Sequence, residues 1–570
     1  QAWEGDGQVL VELVPQLEVL VGPQPALQEV SPSEAQRRFY RVVRQFFAVF
    51  ATPKHPLVVF LDDLQWADLA SLQLLSQLIS HPATPPVLWI GAYRDNEVSP
   101  SHPLRQVLEE VRKAGARMTD LRLEPLSVAQ VEHLVGDTLP GAQREVVAPL
   151  SVLVHEKTGG NPFFLLQLLV ALHQDGLLVR APGGGWRWDA EEVRTRAYSE
   201  NIVDFMVGKL RQFSPDTQHL LRLAACVGNV FSLQMLGILA DLGGMGGVEQ
   251  GLEPALQEGM LVRSGPEQCR FLHDRIQQAA HTLLSEAERK AVHLRIGRLL
   301  LQSLSPEQVR ESLFDVVSQL NAGVDLIEDP AERHHLARLN AEAGGKAKAA
   351  VALRLAITYL TMAFTLIPGD PWETDPALAF KLKLEQARCE FMHGNLAEAR
   401  RLVEKFLPRV RTHSDIEAIY GLKQFLHFAS GEHQEGITCM LECLALLGMP
   451  LPRYPTWEEA VAAHAEVWAL LGERPIESLI ALPPMTDPDM RLVIGALFKL
   501  FNSTYSTNPH LLVIILSRMV SLSIRNGFVD GAVLGYSWFG VITGSFFKRY
   551  RESLAFAKLA LEFVERNNLS

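Results

Sequence analysis

Leu57-Val58-Val59-Phe60-Leu61-Asp62-Asp63-Leu64-Gln65-Trp66-Ala67-Asp68 is the stretch that decides how this chain is read. An uninterrupted apolar run ends on two acids. A run of that length bounded by polar residues predicts a parallel strand buried on both faces. Helical spacing follows in Leu69–Ile79, and a second short apolar run, Val87-Leu88-Trp89-Ile90, leads into Gly91-Ala92-Tyr93-Arg94. Strand, helix, strand at this spacing is a βαβ unit. Ligands of open α/β sheets sit beyond the carboxyl ends of the strands, so Asp62, Asp63 and Arg94 point at one rim. Acids there can hold Mg²⁺ through water and so reach nucleotide phosphates. Asp62 suits the metal's shell, Asp63 an attacking water, and the Arg94 guanidinium a γ-phosphate. The same residues also suit a buried strand with polar ends, and a surface arginine paired with Asp95 or Glu97. Spacing alone leaves both open.

Downstream, the pattern turns helical near residue 125, with Ser127 as an N-cap and Glu132 on the exposed side. Gly159-Gly160-Asn161-Pro162 breaks it, and an apolar helix resumes over Phe163–Leu172. Taken alone, Gly160-Asn161-Pro162 is a helix start, since proline suits the first helical position. The turn Ala181-Pro182-Gly183-Gly184-Gly185 lies between Leu177-Leu178-Val179 and Trp186-Arg187-Trp188, which predicts a β-hairpin. From about 200 to 292 come helical segments at Ile202–Phe213, Pro215–Val227 and Leu233–Ala240, a glycine-rich loop at Gly243–Gly247, and a helix over Glu249–Glu258. Two strands, Gly259–Arg263 and Gln268–Leu272, and a helix from Asp274 complete a winged-helix layout. His273 sits beside the second strand, where a histidine is equally at home as a structural residue.

Beyond residue 293 nearly everything reads as helix. Ala387–Leu407 holds Gly394-Asn395-Leu396-Ala397-Glu398-Ala399, a tight turn followed by alanines at close-packing positions. Gly431-Glu432-His433 repeats the turn 37 residues later. That period is near the ~34 of tetratricopeptide repeats and predicts an all-α solenoid. The most apolar run, Leu511–Ile524, is interrupted by Arg518 and is shorter than the ~20 residues of a bilayer span. It reads as a buried helix, and no membrane span is expected.

The 570 residues suggest about four domains at ~150 residues each. Charged residues make up 21% and hydrophobic ones 48%, which excludes a wholly disordered chain. The net charge of −12 argues against a nucleic-acid or membrane-surface coat. Asp274–Leu284 carries one basic residue, Arg275, too few for a DNA-reading helix, so no nucleic-acid partner is expected. The five cysteines, at wide spacings, fit a reducing, cytoplasmic setting. Cys439 and Cys443 share a helix face and read as small buried residues; a zinc site there would need further ligands, with His433 one candidate.

The order of these pieces resembles the STAND class of AAA-related signalling ATPases. Phe60–Asp68, Thr158-Gly159-Gly160-Asn161-Pro162-Phe163-Phe164 and Leu272-His273-Asp274-Arg275-Ile276-Gln277-Gln278-Ala279-Ala280 are similar to the ATPase-plus-repeat core of large bacterial sensor kinases. The resemblance implies a multidomain chain. An incomplete α/β P-loop NTPase domain (1–124) would be followed by a helical lid (125–199), a winged helix (200–292) and tetratricopeptide-like repeats (293–570). It implies ATP or ADP with Mg²⁺ as cofactors, with Asp62 on the metal and Asp63 as the second catalytic acid. Arg94 would be the sensor arginine. Gly160, Asn161 and Pro162 would form the module near the adenine, and His273 would touch the ADP β-phosphate and hold a closed state. Partners implied are the nucleotide, serine/threonine-kinase, GAF and histidine-kinase domains of the same polypeptide, and a protein or small-molecule effector on the repeats.

One departure stands out. No Gly-x-x-x-x-Gly-Lys-Ser/Thr occurs in the 570 residues, although such a loop should precede the acid-tipped strand. The chain is therefore expected either to be a fragment of a larger protein or to be a non-hydrolysing relative serving as a repeat scaffold. The start at Gln1, the helical pattern running into Asn567-Asn568-Leu569-Ser570, and the intact Asp62-Asp63 favour a fragment.

Overall fold

A computed structural model describes residues 6–14, 16–25, 27, 32–83, 85–95, 98, 102–181, 185–195, 202–242, 245–505 and 507–567. Glu97, the tip Pro182–Gly184 of the expected hairpin, and Gly243-Gly244 of the glycine-rich loop lie outside them. The chain divides into two compact units, Gln1–Val107 with Pro330–Ser570, and Leu108–Asp329. The first unit holds a small α/β part and a helical solenoid; the second is helical with two small antiparallel sheets.

In the first unit, β1 (Leu57–Leu61) and β2 (Val87–Gly91) pair in parallel, Leu57 opposite Val87 through Leu61 opposite Gly91. The helix Leu69–Ser80 connects them, its first turn capped by Asp68, whose carboxylate accepts the Ser71 N–H at 2.8 Å. Trp89 of β2 meets Phe47 of the helix Pro32–Phe50, and both join a small core with Val42, Val43 and Leu78. The other sheet face corrects the sequence expectation. Burial of both faces was expected, but Val58, Phe60, Leu88 and Ile90 are exposed there, Phe60 at 60%. Apolar residues occupy both sets of alternating positions, so the burial alternation is invisible in the residue types.

The solenoid half of this unit alternates helices and tight turns. Pro376–Met392 and Leu396–Phe406 form one hairpin, His413–Ala429 and His433–Leu446 the next. Gly394 (φ +91°) and Gly431 (φ +73°) hold the two turns in the left-handed region that glycine reaches without strain. Cys439 and Cys443 are buried in the resulting core, as expected. Pro509–Asn526 is buried over most of its length, and among the described residues no helix is long and apolar enough to cross a membrane.

In the second unit one hydrophobic core runs from Val131 to Ile296. The helices Val128–Thr138, Arg144–Thr158 and Pro162–Gln174 precede the hairpin of β3 (Leu178–Arg180) and β4 (Trp186–Trp188). Ser127 caps the first of them through a reciprocal pair with Gln130. Further on lie the helices Pro215–Val227, Leu233–Leu239 and Met245–Gln257. Their sheet has three strands rather than two. β5 (Val230–Ser232), β6 (Leu261–Arg263) and β7 (Gln268–Phe271) order as β5-β7-β6, all antiparallel. Val230–Ser232 runs straight into the helix Leu233–Leu239 with no turn between them, so nothing in the pattern marks it off as a strand, and pairing with β7 supplies what propensity does not.

Candidate functional site

The sequence-derived residues fall into two groups, one in each unit. In the first, backbone hydrogen bonds continue past the strand ends: Ala92 donates to Leu61 at 2.8 Å, and Leu64 to Ala92 at 3.0 Å. This ties the segment after β1 to the segment after β2, so Asp62, Asp63 and Arg94 share one rim. Asp63 takes a left-handed conformation (φ 52°, ψ 41°) at the start of a short 3₁₀ turn, Leu64–Trp66. Aspartate tolerates that region better than most residues, and backbone strain of this kind collects at functional sites.

The turn aims the Asp63 carboxylate along the rim. Its Oδ1 accepts the Gln65 amide at 2.8 Å and lies 3.6 Å from the Arg94 guanidinium. Gln65, itself buried, also accepts the Arg94 backbone N–H at 3.2 Å. The guanidinium sits 5.5 Å from the centre of the Trp66 ring. Gln65 is the residue that pattern reading passed over: one amide fixes both the acid and the strand-end arginine. Its position two residues after Asp63, where the chain must turn, is the one feature of the sequence that sets it at the rim.

Asp62 differs from Asp63. It is exposed, and among the described residues its carboxylate accepts the Asp63 N–H, at 3.0 Å, and no other hydrogen bond. Its remaining oxygen positions suit the water shell of a Mg²⁺ ion, which takes oxygen ligands and keeps several waters. The residues thus fit the metal half of a Mg²⁺–nucleotide site. Bound there, Mg²⁺ would neutralise phosphate charge. The phosphate cradle of a P-loop is absent from this sequence, so these residues do not by themselves build the triphosphate half.

In the second unit, Gly160 is held at φ +75° and its carbonyl accepts the Leu126 N–H at 2.9 Å. Asn161 caps the helix Pro162–Gln174, accepting the Phe164 N–H at 3.0 Å, with Pro162 at the first helical position. Asn161 and Pro162 are exposed. His273 caps the helix Asp274–Thr282 through its ring, which accepts the Arg275 N–H at 3.2 Å and lies 2.5 Å from the Asp274 carboxylate. Phe163 brings the two motifs together: its ring stacks on that of His273, centroids 4.2 Å apart and 15° from parallel. An aromatic pair of this geometry adds about 0.5–1.5 kcal/mol beyond burial. Two motifs about 110 residues apart in sequence therefore share one surface, held by a residue to which sequence reading gave no role.

Comparison with known proteins adds the following. Residues 4–90, which include β1 and its two acids, match the family model described as AAA ATPase domain. The chain is 24% identical, over 98% of its length, to the hybrid signal transduction histidine kinase G of Dictyostelium discoideum, and it spans 20% of that protein. A segment of 141 residues is 28% identical to the peroxide stress-activated histidine kinase mak2 of Schizosaccharomyces pombe, covering 25% of this chain and 6% of that kinase. Among solved structures, a STAND protein with a tetratricopeptide repeat sensor from Pyrococcus horikoshii aligns at 13% identity over 100% of this chain and 88% of that one, with a TM-score of 0.37.

Proposed function

We propose that the chain is the nucleotide-responsive switch of a multidomain signalling kinase. Asp62 holds the water shell of Mg²⁺, Asp63 orients the attacking water, and Arg94 reports the γ-phosphate. Gly160, Asn161 and Pro162 flank the base, and His273 reads the β-phosphate. Residues 1–124 serve as the nucleotide-binding part, 125–199 as lid, 200–292 as a winged-helix latch, and 293–570 as repeats that receive a protein or small-molecule effector. ATP and ADP act by biasing two arrangements of the latch, which requires that each nucleotide favour one of them.

The observation that carries this reading is the rim of two parallel strands, where Gln65 fixes the Asp63 carboxylate beside Arg94. A ligand with developing negative charge would meet a metal-binding acid and a guanidinium on adjacent strand ends. The match of residues 4–90 to an AAA ATPase domain supports it, and the kinship with histidine kinases supports the signalling role.

The test is ATP turnover by the chain in its native polypeptide, with and without the double change Asp62→Asn, Asp63→Asn. Turnover should fall at least about 100-fold, the usual scale for removing a group that acts in the transition state. Unchanged turnover would defeat the assignment. Unchanged affinity of the double variant for Mg-ATP, beside lost turnover, would restrict the acids to the chemical step. The 570-residue chain by itself should bind Mg-ATP weakly in a calorimetric titration, since the phosphate cradle is missing. Tight Mg²⁺-dependent binding would move the site elsewhere.

A further inference from the structure

Away from both motif groups, three potential metal ligands converge in the second unit from three different helices. Cys226 lies in the last turn of Pro215–Val227, His281 near the end of Asp274–Thr282, and His293 in Glu286–Ser303. The thiol sulfur and one ring nitrogen of each histidine all lie within 4.8 Å of one another. A tetrahedral zinc ion, with Zn–S about 2.3 Å and Zn–N about 2.0–2.1 Å, needs its donors roughly 3.5 Å apart. Side-chain adjustments of about 1 Å would close that gap. We propose that Cys226, His281 and His293 bind a thiophilic divalent cation, Zn²⁺, with water in the fourth position.

A second, independent feature points the same way. His293 Nδ1 is 2.7 Å from the amide oxygen of Gln319, in the helix Leu313–Ala322, and the Gln319 amide nitrogen donates to the Cys226 carbonyl at 3.1 Å. An amide oxygen accepts, so Nδ1 carries the proton and Nε2 keeps its lone pair. Metal-ligating histidines commonly have their other ring nitrogen fixed by an outer carbonyl in this way. The His281 ring makes no hydrogen bond among the described residues, and it lies 6.0 Å from the ring of His293.

The electrostatics are consistent. Burial pushes the His281 pKa below its ordinary value, helped by the Arg289 and His293 charges, so the imidazole stays neutral and able to donate a lone pair. Burial pushes the Cys226 thiol up to about 11, with Arg289 pulling the other way. Without a bound cation Cys226 is therefore a thiol. Binding forms the S–Zn bond and breaks S–H, and the proton leaves to solvent. Arg289 favours the thiolate and opposes the cation, and the thiolate's own charge offsets the second effect. An ion here would join three helices, one of them the helix capped by His273.

The experiment is Co²⁺ titration of the 570-residue chain, followed by displacement with Zn²⁺. The wild type should show a near-ultraviolet thiolate-to-cobalt charge-transfer band that saturates at one equivalent and disappears on adding Zn²⁺. Cys226→Ser should abolish the band; the other four cysteines are buried elsewhere. Gln319→Leu should weaken affinity about 10–100-fold. His281→Phe loses no hydrogen bond, so its metal-free unfolding midpoint should stay near wild type while its cobalt affinity drops at least 10-fold. Absence of the band in the wild type, its survival in Cys226→Ser, or unchanged affinity in His281→Phe would overturn the proposal.

Discussion

Replacing Gly160 with alanine is expected to destabilise the second unit by about 3 kcal/mol, whereas the same change at its neighbour Gly159 costs about 1 kcal/mol. Both glycines have positive φ, +60° at Gly159 and +75° at Gly160, so each substitution carries the left-handed cost of an L-residue. They differ in what a Cβ would meet. At Gly159 nothing lies within 4 Å. At Gly160 the carbonyl oxygen of Leu126 would be 2.3 Å away, and the Leu126 nitrogen 3.1 Å. These are backbone atoms, and the Leu126 N–H is already committed to the Gly160 carbonyl. Relief requires that the segment entering Val128–Thr138 and the turn before Pro162–Gln174 separate. Denaturant unfolding of the two variants measures the difference directly. Equal losses would mean that the close approach at Leu126 is dispensable. The clash also sits one residue before the Asn161 cap, so Gly160→Ala should loosen the Phe163–His273 stack that joins the two motifs.

That contrast marks the limit of what residue types reveal. Gly159-Gly160 reads as a break whichever glycine is needed, because sequence registers the freedom to turn and not the atom that forbids a side chain. Legibility followed locality throughout. The cap at Ser127, the helix start at Pro162 and the turns at Gly394 and Gly431 are decided within a few residues, the parallel pair β1–β2 within one strand–helix–strand unit, and each was readable. Burial on one face of β1, the third strand β5, and the contact of Phe163 with His273 depend on partners far along the chain. Single-sequence periodicity carries no record of those partners. The Cys226–His281–His293 cluster is the extreme case. Its spacings of 55 and 12 residues match no ligand motif, and the sequence instead drew attention to Cys439 and Cys443, which lie in an apolar core. The candidate acids were legible because a strand tip places its terminal side chains by rule. Gln65 was not, since nothing in its type says that it bridges to a residue 29 positions away.

Acid should weaken the solenoid half of the first unit, and the largest single contribution should come from His464. Its ring is buried, 4% exposed, in the helix Trp457–Leu471. It lies face to face with Phe547, centroids 3.6 Å apart and 4° from parallel, and stacks on Phe539 at 5.1 Å. Its Nε2 is 3.1 Å from the Thr543 hydroxyl. Burial drives its pKa from the usual value down to about 4, and the nearby Arg549 charge pushes the same way. A histidine whose folded pKa lies below its unfolded one binds its proton more tightly in the unfolded chain. Its neutral form is accommodated at full stability above about pH 6.5, and stability is lost as pH falls from there toward 4. Each pKa unit corresponds to about 1.4 kcal/mol, so the loss across that window is on the order of 2–3 kcal/mol. His219 and His281 are also shifted down, so the total acid sensitivity is not assigned to one ring. His464→Gln, which can still reach Thr543 but cannot take a proton, isolates it. The variant should be less stable than wild type near neutrality, having lost the stack. It should also lose about 2 kcal/mol less than wild type between pH 7.5 and 4.5 in denaturant unfolding. Parallel losses in the two proteins would place the acid-sensitive group outside the Trp457–Leu471 helix. A smaller loss in the variant would mean that a ring needed for packing also limits the pH range over which the repeats hold together.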